Sequence, residues 1–119
     1  MSKKIIIAGS RIIPNRDVVW DDLVWRLGYY VPDDIEIVCG MARGADTIGL
    51  DFGVYSGIAV ATFPADWDKH GRSAGYIRNK EMSEYADELI AYWDGKSNGT
   101  KNMIDLMAAA RKPTTIIYV

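Results

Sequence analysis

The feature of the sequence that most limits its fold is an alternation of short apolar segments with longer amphipathic ones. The first apolar segment, residues 4–8, is rich in β-branched isoleucine and ends at Gly9-Ser10. An uninterrupted apolar run of this kind is typical of a strand covered on both faces, as in parallel sheets. By the same reasoning we predict four further strands, at residues 35–39, 58–63, 89–93 and 114–119.

The segments between these strands have the spacing and end residues of helices. Asn15 is a suitable N-cap, and Val19, Leu23 and Leu27 share one face of a helix predicted to run to about residue 30. Further helices are predicted at 44–55, at 73–85 with Ser73 as the cap, and from the end of a turn at 94–100 to about 111. Residues 64–72 are predicted to be a polar loop.

This order of elements predicts the fold class. Consecutive parallel strands need crossover helices, and such crossovers are right-handed. We therefore predict a three-layer α/β/α sandwich, Rossmann-like, with about five mainly parallel strands. Residues 1–119 are expected to form one domain, because the sequence contains no repeat, long linker or low-complexity stretch.

Composition excludes several classes of protein. Fourteen Lys and Arg against sixteen Asp and Glu give a net charge of −2, whereas general nucleic-acid binders have a basic excess. No apolar run reaches the ~18 residues of a membrane span, and the first residues lack a secretory signal. The single cysteine, Cys39, rules out a disulfide framework. We expect a cytoplasmic protein with no metal site, no cofactor and no contact with membranes or long nucleic acids.

Loops that follow the strands contain the candidate ligand-binding residues. Ligands of open parallel sheets bind at the carboxyl ends of the strands, beside the switch in strand order. Glycines there let backbone N–H groups approach a ligand, helix N-termini favour anions, and arginines suit phosphate. This reasoning predicts a small phosphorylated, nucleotide-like ligand. The residues selected are Gly9, Ser10, Arg11, Gly40, Arg43, Gly44, Asp46, Trp67, Asp94, Gly95, Ser97, Gly99 and Thr100.

Several of these residues also have an ordinary structural interpretation. Asp46 either binds a ribose or stabilises the first turn of its helix, and Ser10 either donates to a phosphate or caps a turn. Trp67 either stacks on a base or packs as part of a lid. The loop from Gly95 to Thr100 lacks the Gly-Lys-Ser/Thr ending of a P-loop, which argues against a Walker-type NTPase.

Five motifs follow one another along the chain. They are Gly9-Ser10-Arg11, Gly40-x-Ala42-Arg43-Gly44-Ala45-Asp46, Phe63-Pro64-Ala65-Asp66-Trp67, Ala74-Gly75-x-x-Arg78-Asn79-x-x-Met82 and Trp93-Asp94-Gly95-x-Ser97-x-Gly99-Thr100. Together and in this order they resemble the YspA-like branch of the SLOG superfamily. This superfamily includes the Lonely Guy phosphoribohydrolases, the DNA-processing protein DprA and domains linked to nucleotide signalling.

The resemblance implies a Rossmannoid domain that binds a nucleotide or a nucleotide derivative. It adds Arg78 and Asn79 to the candidate ligand-binding residues. YspA-like proteins are common in bacteria and their phages, so the resemblance also suggests a sensor or a phage-encoded sponge for an ADP-ribose-type signal. It further implies a homodimer or higher oligomer, which the aromatic first helix supports.

Two alternatives follow from other members of the superfamily. The first is a phosphoribohydrolase that cleaves an N-glycosidic bond, with Arg78 as the matching catalytic residue. Met103 stands where that family has a glutamate, so we expect binding in preference to hydrolysis unless Asp46 or Asp94 replaces the missing carboxylate. The second alternative is DprA-like binding of single-stranded DNA, which the net charge makes the least favoured.

Overall fold

Five parallel strands form the centre of the molecule, whose computed structural model describes residues 2–119. Every strand pairs in parallel with its neighbours, in the order β3-β2-β1-β4-β5. The strands are β1 (Lys3–Gly9), β2 (Ile35–Cys39), β3 (Ala59–Thr62), β4 (Glu88–Trp93) and β5 (Thr114–Tyr118).

Helices cover both faces of this sheet, which confirms the three-layer α/β/α sandwich. The helices are α1 (Arg16–Leu27), α2 (Ala45–Ser56), α3 (Trp67–His70), α4 (Ala74–Tyr85) and α5 (Asn98–Ala109). Side chains of β1 alternate between the two faces: Ile5 and Ile7 pack with α1 and α2, whereas Ile6 and Ala8 pack with α4 and α5. None of those in the described chain is long and apolar enough to cross a membrane.

The ends of α1 follow from local chemistry. The Asn15 side chain accepts a hydrogen bond from the Asp17 N–H at 3.0 Å, as predicted for an N-cap. The helix ends at Leu27, about three residues earlier than predicted: the Gly28 N–H makes the last i→i−4 bond, to Val24, and the Tyr30 N–H turns back to the Leu27 carbonyl. Val19, Leu23 and Leu27 are all buried, and each contributes about 1.5–3 kcal/mol by leaving water.

Three local predictions were wrong. The predicted loop at 64–72 contains the one-turn helix α3, whose cap is Asp66 accepting from the Lys69 N–H. Helix α5 begins at Asn98, inside the predicted turn at 94–100. Ser73 precedes α4 but its side chain makes no capping hydrogen bond.

The aromatic residues of α1 and the turn after it have divided roles. Trp20 packs edge-on against Phe52, with ring centroids 5.3 Å apart, and belongs to the core. Trp25 and Tyr29 are 62 % and 86 % exposed, so of the two expected roles, core or subunit interface, only the interface stays a prediction for them.

The strand order reverses between β1 and β4. The chain moves from β1 outward to β2 and β3, then returns to place β4 and β5 on the other side of β1. Segments that leave β1 and β4 at their carboxyl ends go to opposite faces, to α1 and α5 respectively. This divergence opens a crevice at the switch point, where ligands of such sheets bind.

Candidate functional site

A cavity of about 350 Å³ opens at the carboxyl ends of β1 and β4. Its volume lies within the ~300–1,000 Å³ of typical small-molecule sites. The walls of this cavity come from segments that are far apart in sequence, so the fold brings together residues from different motifs. The predicted site residues in its lining are Gly9, Arg11, Asp46, Arg78, Asn79, Asp94, Ser97, Gly99 and Thr100.

A second cavity of about 390 Å³ adjoins the first and shares Arg11, Ala42 and Arg78 with it. It contains three more of the predicted residues, namely Gly40, Arg43 and Trp67.

The remaining predicted residues, Ser10, Gly44 and Gly95, support the first cavity from outside its lining. Ser10 is buried, and its hydroxyl accepts the Asp94 N–H at 2.9 Å. Gly44 has φ +77°, and a Cβ there would lie 2.2 Å from the Ser10 carbonyl oxygen. Only glycine therefore allows the loop after β2 to pack against the loop after β1.

Arg78 is held half-buried between two loops of the site. Its Nε donates to the Asn79 side-chain oxygen at 3.0 Å, and its Nη1 donates to the Gly40 carbonyl. A Cβ at Gly40 would lie 2.9 Å from both Arg78 Nη1 and Asp46 Oδ2, so the absence of a side chain there makes room for both charges. Burial lowers the pKa of Arg78, and the charge of Asp46 opposes this shift.

Asn79 joins α4 to the beginning of α5. Its amide nitrogen donates to the Gly99 carbonyl at 3.1 Å and to the Asn102 side chain at 3.0 Å. Since its oxygen accepts from Arg78, this buried side chain sets the position of the arginine relative to α5.

Asp46 is a buried carboxylate in the first turn of α2. Desolvation raises its pKa to about 6, against the opposing attraction of Arg78 and a 3.4 Å hydrogen bond from the Ala42 N–H. The group can therefore exchange a proton near neutral pH at the wall of the cavity.

Asp94 organises the turn between β4 and α5. Its carboxylate accepts the backbone N–H groups of Ser97 and Lys96, each at 2.8 Å, and these bonds lower its pKa. The Ser97 side chain also contacts the Ser10 hydroxyl at 3.3 Å, which links this turn to the loop after β1.

Nine lining residues of the two cavities were not predicted as ligand contacts from the sequence. Ile12 is exposed at the first cavity and Met41 at the second, and exposed apolar residues directly after strand ends were the available clue. Met103, buried in the wall of the first cavity, occupies the position where a glutamate was expected. The others are Ala8, Ala42, Met82 and Asn98 in the first cavity and Pro64 and Ala65 in the second.

The arginines of the site form no ion pair among residues 2–119. Ion pairs in this part of the chain join Lys3 to Glu88, Arg16 to Asp51, Arg26 to Asp22 and Lys101 to Asp105. Arg11, Arg43 and Arg78 take part in none of these pairs, although Asp46 lies near Arg78 and attracts its charge. The carboxyl edge of the sheet therefore has more positive than negative charge outside ion pairs, with Asp46 as the nearby acid.

Comparison with solved structures supports the fold. The chain is similar to DNA processing protein A (DprA) from Streptococcus pneumoniae, with a TM-score of 0.74 and 13 % identity over 97 % of this chain. It is also similar to DNA processing protein A from Helicobacter pylori, with a TM-score of 0.66 and 18 % identity over 96 % of this chain. The matches span 50 % and 64 % of those two proteins.

The prediction of a small ligand to the exclusion of long nucleic acids needs correction. The Helicobacter pylori structure, which shares this fold, is described by its single-stranded DNA binding mode. The prediction relied on the net charge of −2, and that total hides the arginines left without ion-pair partners at one edge of the sheet.

Sequence comparison identifies the family. A protein of Mycobacterium phage D29, the gene 61 protein, is 36 % identical over 106 residues, which cover 84 % of each chain. Residues 3–70 match the sequence model of the YspA, cpYpsA-related SLOG family. With this match, and with structural neighbours that have the expected Rossmannoid fold, the chain belongs to the YspA, cpYpsA-related SLOG family.

Proposed function

We propose that this protein binds nucleotides through their phosphates at the carboxyl edge of the sheet, as units of single-stranded DNA. The observation that carries the proposal is the convergence of Arg11, Arg78 and the start of α5 on one cavity. Arginine side chains and helix N-termini are two independent means of binding phosphate.

The start of α5 is open to an anion. Ser97 supplies no side-chain cap, and the first residues of the helix, Asn98, Gly99 and Thr100, line the cavity. The N–H groups of a first helical turn have no partner within the helix, so an anion can accept from them. Around Gly99, nothing lies within 4 Å of the point where a Cβ would be, which leaves room for a phosphate.

Single-stranded DNA is favoured by features beyond the phosphate groups. Two exposed side chains, Trp67 and Ile12, line the cavities beside the arginines; bases stack on aromatic rings such as Trp67, and Ile12 offers an apolar contact. The likeness to the Helicobacter pylori protein, described by its single-stranded DNA binding mode, adds support from a shared fold.

Fluorescence anisotropy with a labelled oligothymidylate tests the proposal. We expect binding to the single strand in preference to the same sequence as a duplex, and an affinity that falls as salt rises. Arg11→Ala is expected to weaken binding and to reduce the salt slope by about one, because one phosphate contact is lost. Arg16→Ala is the matched control, since Arg16 is paired with Asp51 outside both cavities.

Absence of binding to the single strand and to thymidine monophosphate at low salt would contradict the proposal. Equal weakening by the two arginine variants would also contradict it, because the effect would then depend on net charge alone.

A second candidate is hydrolysis of an N-glycosidic bond, and the observation that favours it is the position of Asp46. This carboxyl group, with its pKa near 6, faces the same cavity as Arg78, whereas Met103 supplies no acid. Chromatography for free base after incubation with nucleoside monophosphates tests it. Release that disappears in Asp46→Asn would support hydrolysis, and no release by the wild-type protein would exclude it for those substrates.

A further inference from the structure

The two cavities adjoin and together make a groove, with a pair of arginines between them. Arg11 and Arg78, together with Ala42, belong to the linings of both cavities, so these residues lie at the boundary. Each cavity also contains a strongly exposed apolar side chain that belongs to one lining alone. This residue is Ile12, 82 % exposed, in the first cavity and Trp67, 52 % exposed, in the second.

The position of Trp67 is fixed by its local structure. It is the first residue of α3, which Asp66 caps through the Lys69 N–H at 3.1 Å. The tip of the indole and the Nη2 of Arg78 lie 3.6 and 3.7 Å from the point where a Cβ of Gly75 would be. The edge of the indole and the guanidinium group of Arg78 therefore both lie close to this glycine.

The order along the groove is an apolar side chain, two arginines and an aromatic side chain. A nucleic-acid strand repeats the same order of chemistry, since each phosphate lies between two nucleosides. Both cavities, at about 350 and 390 Å³, exceed the ~300 Å³ lower limit of small-molecule sites. Each is therefore large enough to be a binding site in its own right.

We infer that the two cavities are adjoining subsites for two successive nucleosides, with the phosphate that links them bound by Arg11 and Arg78. The inference rests on the proposed function and makes it more specific: the unit recognised is a dinucleotide, with one base stacked on Trp67. The same chemistry is present in a single strand and in a free dinucleotide.

The test compares the affinities of thymidine monophosphate, the dinucleotide pTpT and an eight-nucleotide oligothymidylate by titration calorimetry. We expect pTpT to bind about tenfold or more tightly than the mononucleotide, because it adds a stacked base. An octanucleotide that binds at least as tightly as pTpT identifies a strand as the source. Weaker binding of the octanucleotide identifies a free dinucleotide and contradicts binding of a strand, whereas the two subsites are tested by the ratio of pTpT to mononucleotide affinity.

Trp67→Ala is expected to reduce the ratio of dinucleotide to mononucleotide affinity towards one, whereas Trp67→Phe retains most of it. Trp25→Ala is the matched control, since Trp25 is also exposed but lies on α1, outside both cavities. Quenching of tryptophan fluorescence by pTpT is a second measurement. It is expected to be lost in Trp67→Phe and retained in Trp25→Phe.

Two results would overturn the inference. Equal affinities for mononucleotide and dinucleotide, with quenching unchanged in Trp67→Phe, would reject the second subsite while leaving nucleotide binding in place. Failure of all three ligands to bind a correctly folded protein would reject the proposed function, and the inference with it.

Discussion

Replacement of Asp46 by asparagine is expected to stabilise the protein in neutral and alkaline solution. The substitution removes a negative charge that is 5 % exposed and preserves the size of the side chain and an oxygen to accept from Ala42. Burial raises the pKa of Asp46 from 3.8 to about 6 despite the attraction of Arg78. A carboxyl group that binds its proton more tightly in the folded state lowers the stability when it ionises.

The magnitude follows from the two pKa values. Their difference, between 3.8 and about 6, corresponds to about 3 kcal/mol, since one pKa unit is about 1.4 kcal/mol. Below about pH 4 the carboxyl group is protonated in both states, so wild type and Asp46→Asn are expected to be equally stable. As pH rises towards 6 the wild type loses stability relative to the variant, and above that pH the gap stays at about 3 kcal/mol.

Urea unfolding at intervals of one pH unit, from about pH 4 to 8, measures this gap. Asp21→Asn is the matched control, because Asp21 is exposed on α1 and its loss changes the net charge equally. The control curve is expected to run parallel to that of the wild type. A variant at Asp46 that is less stable than the wild type near pH 8, or a gap independent of pH, would refute the reasoning.

Three further substitutions have definite expected outcomes. Gly99→Ala is expected to raise the stability by up to about 1 kcal/mol in thermal melts and to weaken DNA binding measured by anisotropy. Unchanged binding would show that the start of α5 does not bind the phosphate. Lys112→Met removes the ammonium group that donates to the Ser83 and Ala86 carbonyls at the end of α4. The free energy of unfolding in urea is expected to fall by about 1–3 kcal/mol, and no fall would contradict a role of Lys112 in capping this helix. Gly44→Ala is expected to cost about 1–3 kcal/mol, because φ is +77°; wild-type stability would contradict the close packing there.

The strands and the fold were predictable from the sequence because the sheet is buried on both faces. Continuous apolar runs mark such strands, and β2 was predicted at its observed bounds, Ile35–Cys39. Helix α1 was predicted from its N-cap and the spacing of Val19, Leu23 and Leu27. By contrast, α3 has only four residues, too few for a helical period to show, and its cap at Asp66 resembled an ordinary loop residue.

The candidate site was predictable in outline, because strand ends in a parallel sheet share one edge. Side-chain partners were not predictable, since the bonds of Asn79 to Gly99 and Asn102 cross from one helix to another. The error about nucleic acid has a related cause. The net charge does not say where the charged residues lie. Ion pairs such as Arg16–Asp51 and Lys101–Asp105 neutralise acidic side chains elsewhere on the surface, away from the arginines of the site.

The central place of β1 has a consequence for how the site comes into being. In one neighbour, β2, Ile35 pairs with Lys3, which is 32 residues earlier in the chain. In the other, β4, Glu88 pairs with Ile5, which is 83 residues earlier. Contacts so distant in sequence form slowly, and the side of β1 that awaits β4 exposes unpaired backbone until then. The crevice forms only when β4 pairs with β1, because the loop that follows β4 supplies one of its walls. If the proposed function holds, a bound nucleotide stabilises only chains in which β4 has paired with β1.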